Sequence, residues 1–333
     1  MLAKIHSVAV RGIEGFTVLV ELDLANGLPG FVTVGLPDSA VREARERVAS
    51  AVRNSGYQFP QRKITVNLAP AQARKEGTHF DLPIALAVLS ASGQIPAGSW
   101  SSRYCFLGEL ALDGGVRPIP GVLAMALQAK VQGFAAIVVP AANVAEARAS
   151  GLPAHGAVSL REVAEFLSRD EAPAVLEENA APESDFSDDV DFLDVKGQGL
   201  AKRALEIAAA GGHNVLLMGT PGVGKSMLAR RFVTLLPRLT AGESLEVTRI
   251  HSAGLKNKSG MITARPFRAP HHTASRVSLV GGGSAPRPGE ASLAHGGVLF
   301  LDELAEFDRA TLEALRQPLE DCKITIARAK DVL

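Results

Sequence analysis

The chain has 333 residues, 47% of them hydrophobic, and its 35 Lys and Arg balance 35 Asp and Glu. That length suits two domains with cores of their own, and the balanced charge excludes nucleic-acid binding driven by bulk charge alone. No apolar run reaches 18 residues, the first residues lack the apolar stretch of a secretory leader, and Cys105 and Cys322 lack metal-ligand spacing; this predicts a cytoplasmic chain without membrane span, disulfide scaffold or zinc site.

In chain order, residues 16–24 (FTVLVELDL) alternate as a strand. Asp38 or Ser39 caps a helix predicted to run to Asn54, with Gly56 as its stop. Residues 63–68 (KITVNL) form a second strand, and residues 81–91 a buried helix with Pro83 in its first turn. Strands are predicted over 104–112 and 135–139, separated by an amphipathic helix over 122–132 that ends at Gly133. Residues 170–194 hold no Lys or Arg and seven Glu and Asp between 177 and 191. Such a stretch buries too little apolar surface to offset its ordering entropy. The reading is a first domain over 1–168, an acidic linker over 169–193 and a second domain over 194–333.

The second domain opens with a helix over 199–210, then a short apolar strand over 214–218. A helix follows over 225–236, ended by Pro237; a buried strand spans 298–301, and a helix over 309–319 carries Leu312, Leu315 and Leu319 on one face. Strands alternating with helices predict an α/β fold with a parallel sheet.

Gly219, Thr220, Pro221, Gly222, Val223, Gly224, Lys225 and Ser226 match G-x-x-x-x-G-K-[ST] at every fixed position, between a strand and a helix. Glycines let backbone N–H groups turn inward around phosphates, and the helix N-terminus favours negative charge there. Lys225 reaches the β- and γ-phosphates of ATP, and the Ser226 hydroxyl ligates Mg²⁺. The apolar run ending in Asp302 and Glu303 supplies the other half. Two carboxylates at the end of a buried strand are costly unless they act: Asp302 holds Mg²⁺ and Glu303 is the general base for water. Helix capping is the other reading of that pair.

The residues over 265–273 (RPFRAPHHT), the triple glycine 281–283, residues 286–290 (PRPGE), LAHGGVLFLDEL and residues 312–320 (LEALRQPLE) resemble the magnesium-chelatase-like AAA+ ATPases, more narrowly the ComM/YifB group. Residues 194–198 (DVKGQ) fit the start of that ATPase domain. The resemblance implies a hexameric ring and an ATP-driven helicase that migrates branched DNA during natural transformation. It implies a first domain of the ribosomal S5/Lon-protease kind, an α+β fold. Lon-type proteases use a Ser-Lys pair; residues 75–81 (KEGTHFD) offer no serine and residues 118–125 (PIPGVLAM) no lysine, so the fold is reused without proteolysis. It also implies that a sensor strand, an arginine finger and a helical lid belong beyond the KDVL at 330–333, and hence that this chain alone binds nucleotide weakly and hydrolyses it poorly.

Between Ser252 and Arg287 lie Lys256, Lys258, Arg265, Arg268 and Arg276, with few acids. They read either as contacts to a DNA backbone or as a solvated or intersubunit loop. His271 and His272 lack further ligands for a metal. Arg42, Arg45, Arg47 and Arg53, interleaved with Glu43 and Glu46, read as a solvated, ion-paired helix face.

Overall fold

The computed structural model describes residues 1–169, 190–254, 260–283, 287–321 and 323–324. Most of the acidic linker, Lys256, Lys258, Cys322 and the end of the chain lie outside the described residues. The chain divides into two compact units at residues 181–182.

The first unit is built on a seven-stranded mixed sheet, in the order β3-β4-β2-β1-β5-β8-β9. The strands are β1 (Leu2–Arg11), β2 (Glu14–Ala25), β3 (Gly30–Val34), β4 (Lys63–Ala69), β5 (Tyr104–Phe106), β8 (Ala136–Pro140) and β9 (Ala154–Ala157), with a separate ribbon of β6 (Glu109–Leu110) and β7 (Val116–Arg117). In the seven-stranded sheet, antiparallel pairing joins β1 to β2 and β2 to β4 and the other ladders are parallel, whereas β6 and β7 pair antiparallel. Alternation decides which residues face which layer. In β2, Val18, Val20, Leu22 and Leu24 are buried, and in β4 Ile64, Val66 and Leu68.

Helices cover both faces. One cluster joins those strand residues, with Phe106 and Val138, to α1 (Ser39–Arg42), α2 (Ala44–Asn54), α3 (Asp81–Ala91) and α7 (Leu160–Arg169), with Trp100 of α4 (Trp100–Arg103). The other joins Cys105, Ile137 and Val139 to α5 (Val122–Val131) and α6 (Val144–Arg148). Neighbouring residues of β5 and β8 thus serve opposite layers. Burial on both sides explains why α3 is apolar all round. It also corrects the amphipathic reading of α5, whose Val122, Leu123, Ala124, Met125, Ala126 and Ala129 are all buried. This helix lies so close to β2 that a Cβ on Gly15 would stand 2.6 Å from the Ala124 carbonyl oxygen.

The predicted helix after Asp38 is two helices. Asp38 caps α1, its carboxylate accepting from the Val41 N–H at 2.8 Å, and a turn at Glu43 separates α1 from α2. The predicted strand 104–112 splits into β5 and β6 at Leu107 and Gly108.

The second unit contains α8 (Gly199–Gly211), α9 (Lys225–Phe232), α10 (Ala241–Gly254), β10 (Phe267–Arg268), α11 (Arg276–Val280), β11 (Gly281–Gly282), β12 (Arg287–Pro288), α12 (Glu290–Leu293), β13 (Val298–Leu299), α13 (Arg309–Glu313) and α14 (Arg316–Asp321). Its parallel pairing is short: β10 lies beside β13, with Phe267 and Phe300 stacked at 6.0 Å between centroids. The predicted strand 214–218 takes no regular secondary structure and pairs with no strand among the described residues, and Leu216 and Met218 are 69% and 85% exposed. A strand needs a neighbour for its backbone groups and its apolar faces. The predicted helix 309–319 is broken at Ala314 and Leu315, leaving Leu315 buried and Leu319 exposed. Among the described residues, no helix is long and apolar enough to cross a membrane.

Candidate nucleotide-binding site

The loop from Gly219 to Ser226 leads into α9, whose N-cap is Gly224. Gly222 and Gly224 take φ values of 80° and 94°, a region where a side chain would be strained. That is why the motif needs glycine here. Lys225 folds back over the loop, its Nζ donating to the carbonyl oxygens of Gly219 at 2.8 Å and Thr220 at 3.1 Å. Gln198, at the start of α8, braces the loop from outside, its Nε2 donating to the Val223 carbonyl at 2.8 Å. The sequence reading used Gln198 only as part of a family match; its own signal was a polar side chain just ahead of a glycine-started helix.

Residues 76 apart in sequence meet at this loop: the Ser226 hydroxyl donates to Asp302 Oδ2 at 2.8 Å. Both are hard oxygen donors of the kind Mg²⁺ takes alongside phosphate oxygens. With the basic end of Lys225 and the open glycine backbone, the set fits a magnesium nucleotide. Among the described residues, no group of three or more His, Cys, Asp and Glu side chains could hold a metal unaided.

Glu303 follows at a tight turn with φ of 52°. A non-glycine residue held there costs about 1–3 kcal/mol, so the surrounding structure imposes this geometry. Its carboxylate is exposed and stands 3.7 Å from His272 Nδ1. Together with Leu304, Ala305 and Glu306 these two side chains line an open cleft of about 480 Å³. From sequence His272 stood only as a histidine without the further ligands a metal needs; the proximity to Glu303 comes from the turn after β10, which the sequence does not mark.

The basic insert is used differently from one arginine to the next. Arg268 makes a two-pronged pair with Glu290, at 2.6 and 2.8 Å, and this pairing raises its pKa further. Arg265 donates to the carbonyl oxygens of Pro237 and of Gly296 and reaches Glu243 at 3.4 Å. Both tie the unit together. Arg276 is exposed at the start of α11.

In the first unit, Lys75, His79 and Asp81 form a run of buried polar residues. The Lys75 ammonium donates to the Pro70 carbonyl, and burial lowers its pKa. Asp81 accepts from Arg47 at 2.6 and 3.0 Å; burial nevertheless pushes its pKa up to about 6, against the pull of that pair. His79 is buried, its Nε2 has no hydrogen-bond partner among the described residues, and burial lowers its pKa to about 4.

Two family profiles match the chain: "Magnesium chelatase, subunit ChlI" over residues 191–333 and "Subunit ChlI of Mg-chelatase" over residues 20–143. This chain belongs to the YifB/ComM family of magnesium-chelatase-like AAA+ proteins. It is 46% identical to the competence protein ComM of Haemophilus influenzae over 98% of its own length and 65% of that protein. It is 46% identical to YifB of Escherichia coli, over 99% of the chain and 65% of YifB. An uncharacterised protein of Mycobacterium tuberculosis is 47% identical over 99% of the chain and 66% of that relative. The chain thus spans about two thirds of the length of these relatives.

Proposed function

We propose that this chain is the nucleotide-binding part of an ATP-driven motor that works on DNA, as a cytoplasmic ring of like subunits, hexameric as in the resemblance above. The observation that carries the ATP reading is the meeting of Ser226 with Asp302 beside Lys225. In this reading Gly219 to Ser226 cradle the phosphates, Lys225 turns from the loop carbonyls to the β- and γ-oxygens, and Ser226 and Asp302 hold Mg²⁺. Bound magnesium ATP supplies the phosphoryl group that passes to water. Glu303 orients that water and accepts its proton. His272 acts on Glu303 by holding its carboxylate to one side, as a positioning residue.

The DNA half of the proposal is supported by the family, which includes a competence protein, and by the exposed Arg276 with Lys256 and Lys258 nearby in sequence. A second reading, a chelatase-type remodelling subunit that loads a metal with partner subunits, is favoured by the family description itself. The test is ATP turnover by a form extended to the relatives' full length, with and without branched and single-stranded DNA, beside Lys225→Ala. DNA stimulation that the variant abolishes is the expected result. Turnover indifferent to every DNA sinks the motor reading and leaves the remodelling one.

A further inference from the structure

At the β3 edge of the first unit, α2 and the turn before β4 enclose a notch. Arg45, Ala49 and Arg53 follow one another at four-residue spacing along α2 and face it. Arg62 closes it from the other side, and Phe31 and Phe59 line it while packing on the core behind. Arg45 and Arg53 leave the helix about 12 Å apart. Arg47 on the same helix does not share this role, since it turns inward to Asp81. So of the four arginines that the sequence groups on one face, Arg47 is a structural cation and Arg45 and Arg53 meet Arg62 around an aromatic surface.

We infer that this notch binds single-stranded nucleic acid. Three features favour that ligand. Positive charge on the rim, three arginines against Glu46 alone among the lining residues, complements a phosphodiester backbone. Aromatic side chains at the base offer a surface on which any base can stack, and arginine adds to it. The volume, about 100 Å³, is well below that of pockets that enclose a whole small molecule. It suits a strand that sets one ring into the notch and continues over the charged rim. The side chain of Glu46 stands 3.6 Å from Arg45 and is 78% exposed, so an incoming phosphate displaces a weak surface pair. The inference rests on the DNA-directed reading for its ligand and on the notch for its place.

The test uses the whole chain and a fluorescein-labelled oligothymidylate, followed by anisotropy across a salt series without nucleotide. Each neutralised contact to a single strand contributes about 0.7 to the slope of log affinity against log salt. Arg45→Gln, Arg53→Gln and Arg62→Gln together are expected to weaken binding tenfold or more and to flatten the slope by about 2. Phe59→Leu, which keeps apolar packing and removes the ring face, is expected to weaken it about fivefold or more. Glu46→Gln is expected to tighten it. Circular dichroism and Trp100 fluorescence verify that each variant is folded. Wild-type affinity and slope in the triple variant overturn the inference, as does no binding by the wild-type chain. Failure of the motor reading looks different: oligonucleotide binding would persist through the arginines while DNA left ATP turnover unchanged.

Discussion

The strand over 16–24 and the strand-like run over 214–218 carry similar apolar sequence, yet they end in opposite environments. Leu22 in β2 is fully buried between two paired neighbours, whereas Leu216 is 69% exposed and its run is unpaired among the described residues. The difference teaches that apolar composition specifies a tendency to be covered and not the cover itself. The first unit closes its sheet with seven strands and helices on both faces. The second spends its organisation on one loop, one turn and the residues that meet there, with strands only two residues long.

The largest test of that contrast is chemical. Glu303→Gln in the extended form is expected to retain nucleotide, read by a fluorescent ATP analogue, and to lose about 100-fold or more in turnover. A variant that turns over at the wild-type rate removes Glu303 from the site.

The contrast in burial is next. Leu22→Ala should cost about 2–5 kcal/mol in denaturant unfolding, because it leaves a cavity in a closed core. Trp100, the single tryptophan and itself buried in the first unit, reports that unfolding. Leu216→Ala, on an exposed residue, should change stability of this chain by no more than about 0.5 kcal/mol. Equal costs for the two would erase the distinction.

The buried polar cluster of the first unit gives a pH test. His79 falls from 6.5 to about 4 on folding. Between those values the unfolded chain takes a proton that the folded chain refuses, so stability is full above pH 6.5 and is lost as pH falls toward 4. Asp81 rises from 3.8 to about 6; the folded chain holds its proton in that range, so its contribution grows as pH falls. The two oppose each other in the wild-type chain. His79→Leu removes the first alone, and its stability relative to wild type should rise by up to about 3 kcal/mol between pH 7 and pH 4. A constant difference across that range would show that His79 is not held neutral by burial.

The smallest effect is expected at His272. An exposed pair at 3.7 Å is worth up to about 1 kcal/mol. His272→Ala should therefore raise turnover without DNA by about two- to fivefold while ATP affinity stays the same. A matching fall in ATP affinity would place His272 in binding instead.

The shape of the glycine loop over 219–226 and the position of the Asp-Glu pair were legible in the sequence because they are local: a fixed spacing of glycines, a lysine and a hydroxyl leaves the backbone few alternatives. Asp38 as a cap, α3 with its all-apolar surface, and the alternation of β2 and β4 were legible for the same reason, since neighbours in the chain determine them. What only the tertiary structure decided is which distant groups meet. It set His272 against Glu303. It turned Arg265 and Arg268 from free cations into ties, because carboxylates and carbonyls from elsewhere reach them. It sent Arg47 inward to Asp81 while Arg45 and Arg53 joined Arg62, and among the described residues it pairs no strand with residues 214–218. Spacing along a chain fixes a residue's face and turn; charge pairing and burial depend on what the fold places opposite, and a one-dimensional pattern holds no record of that.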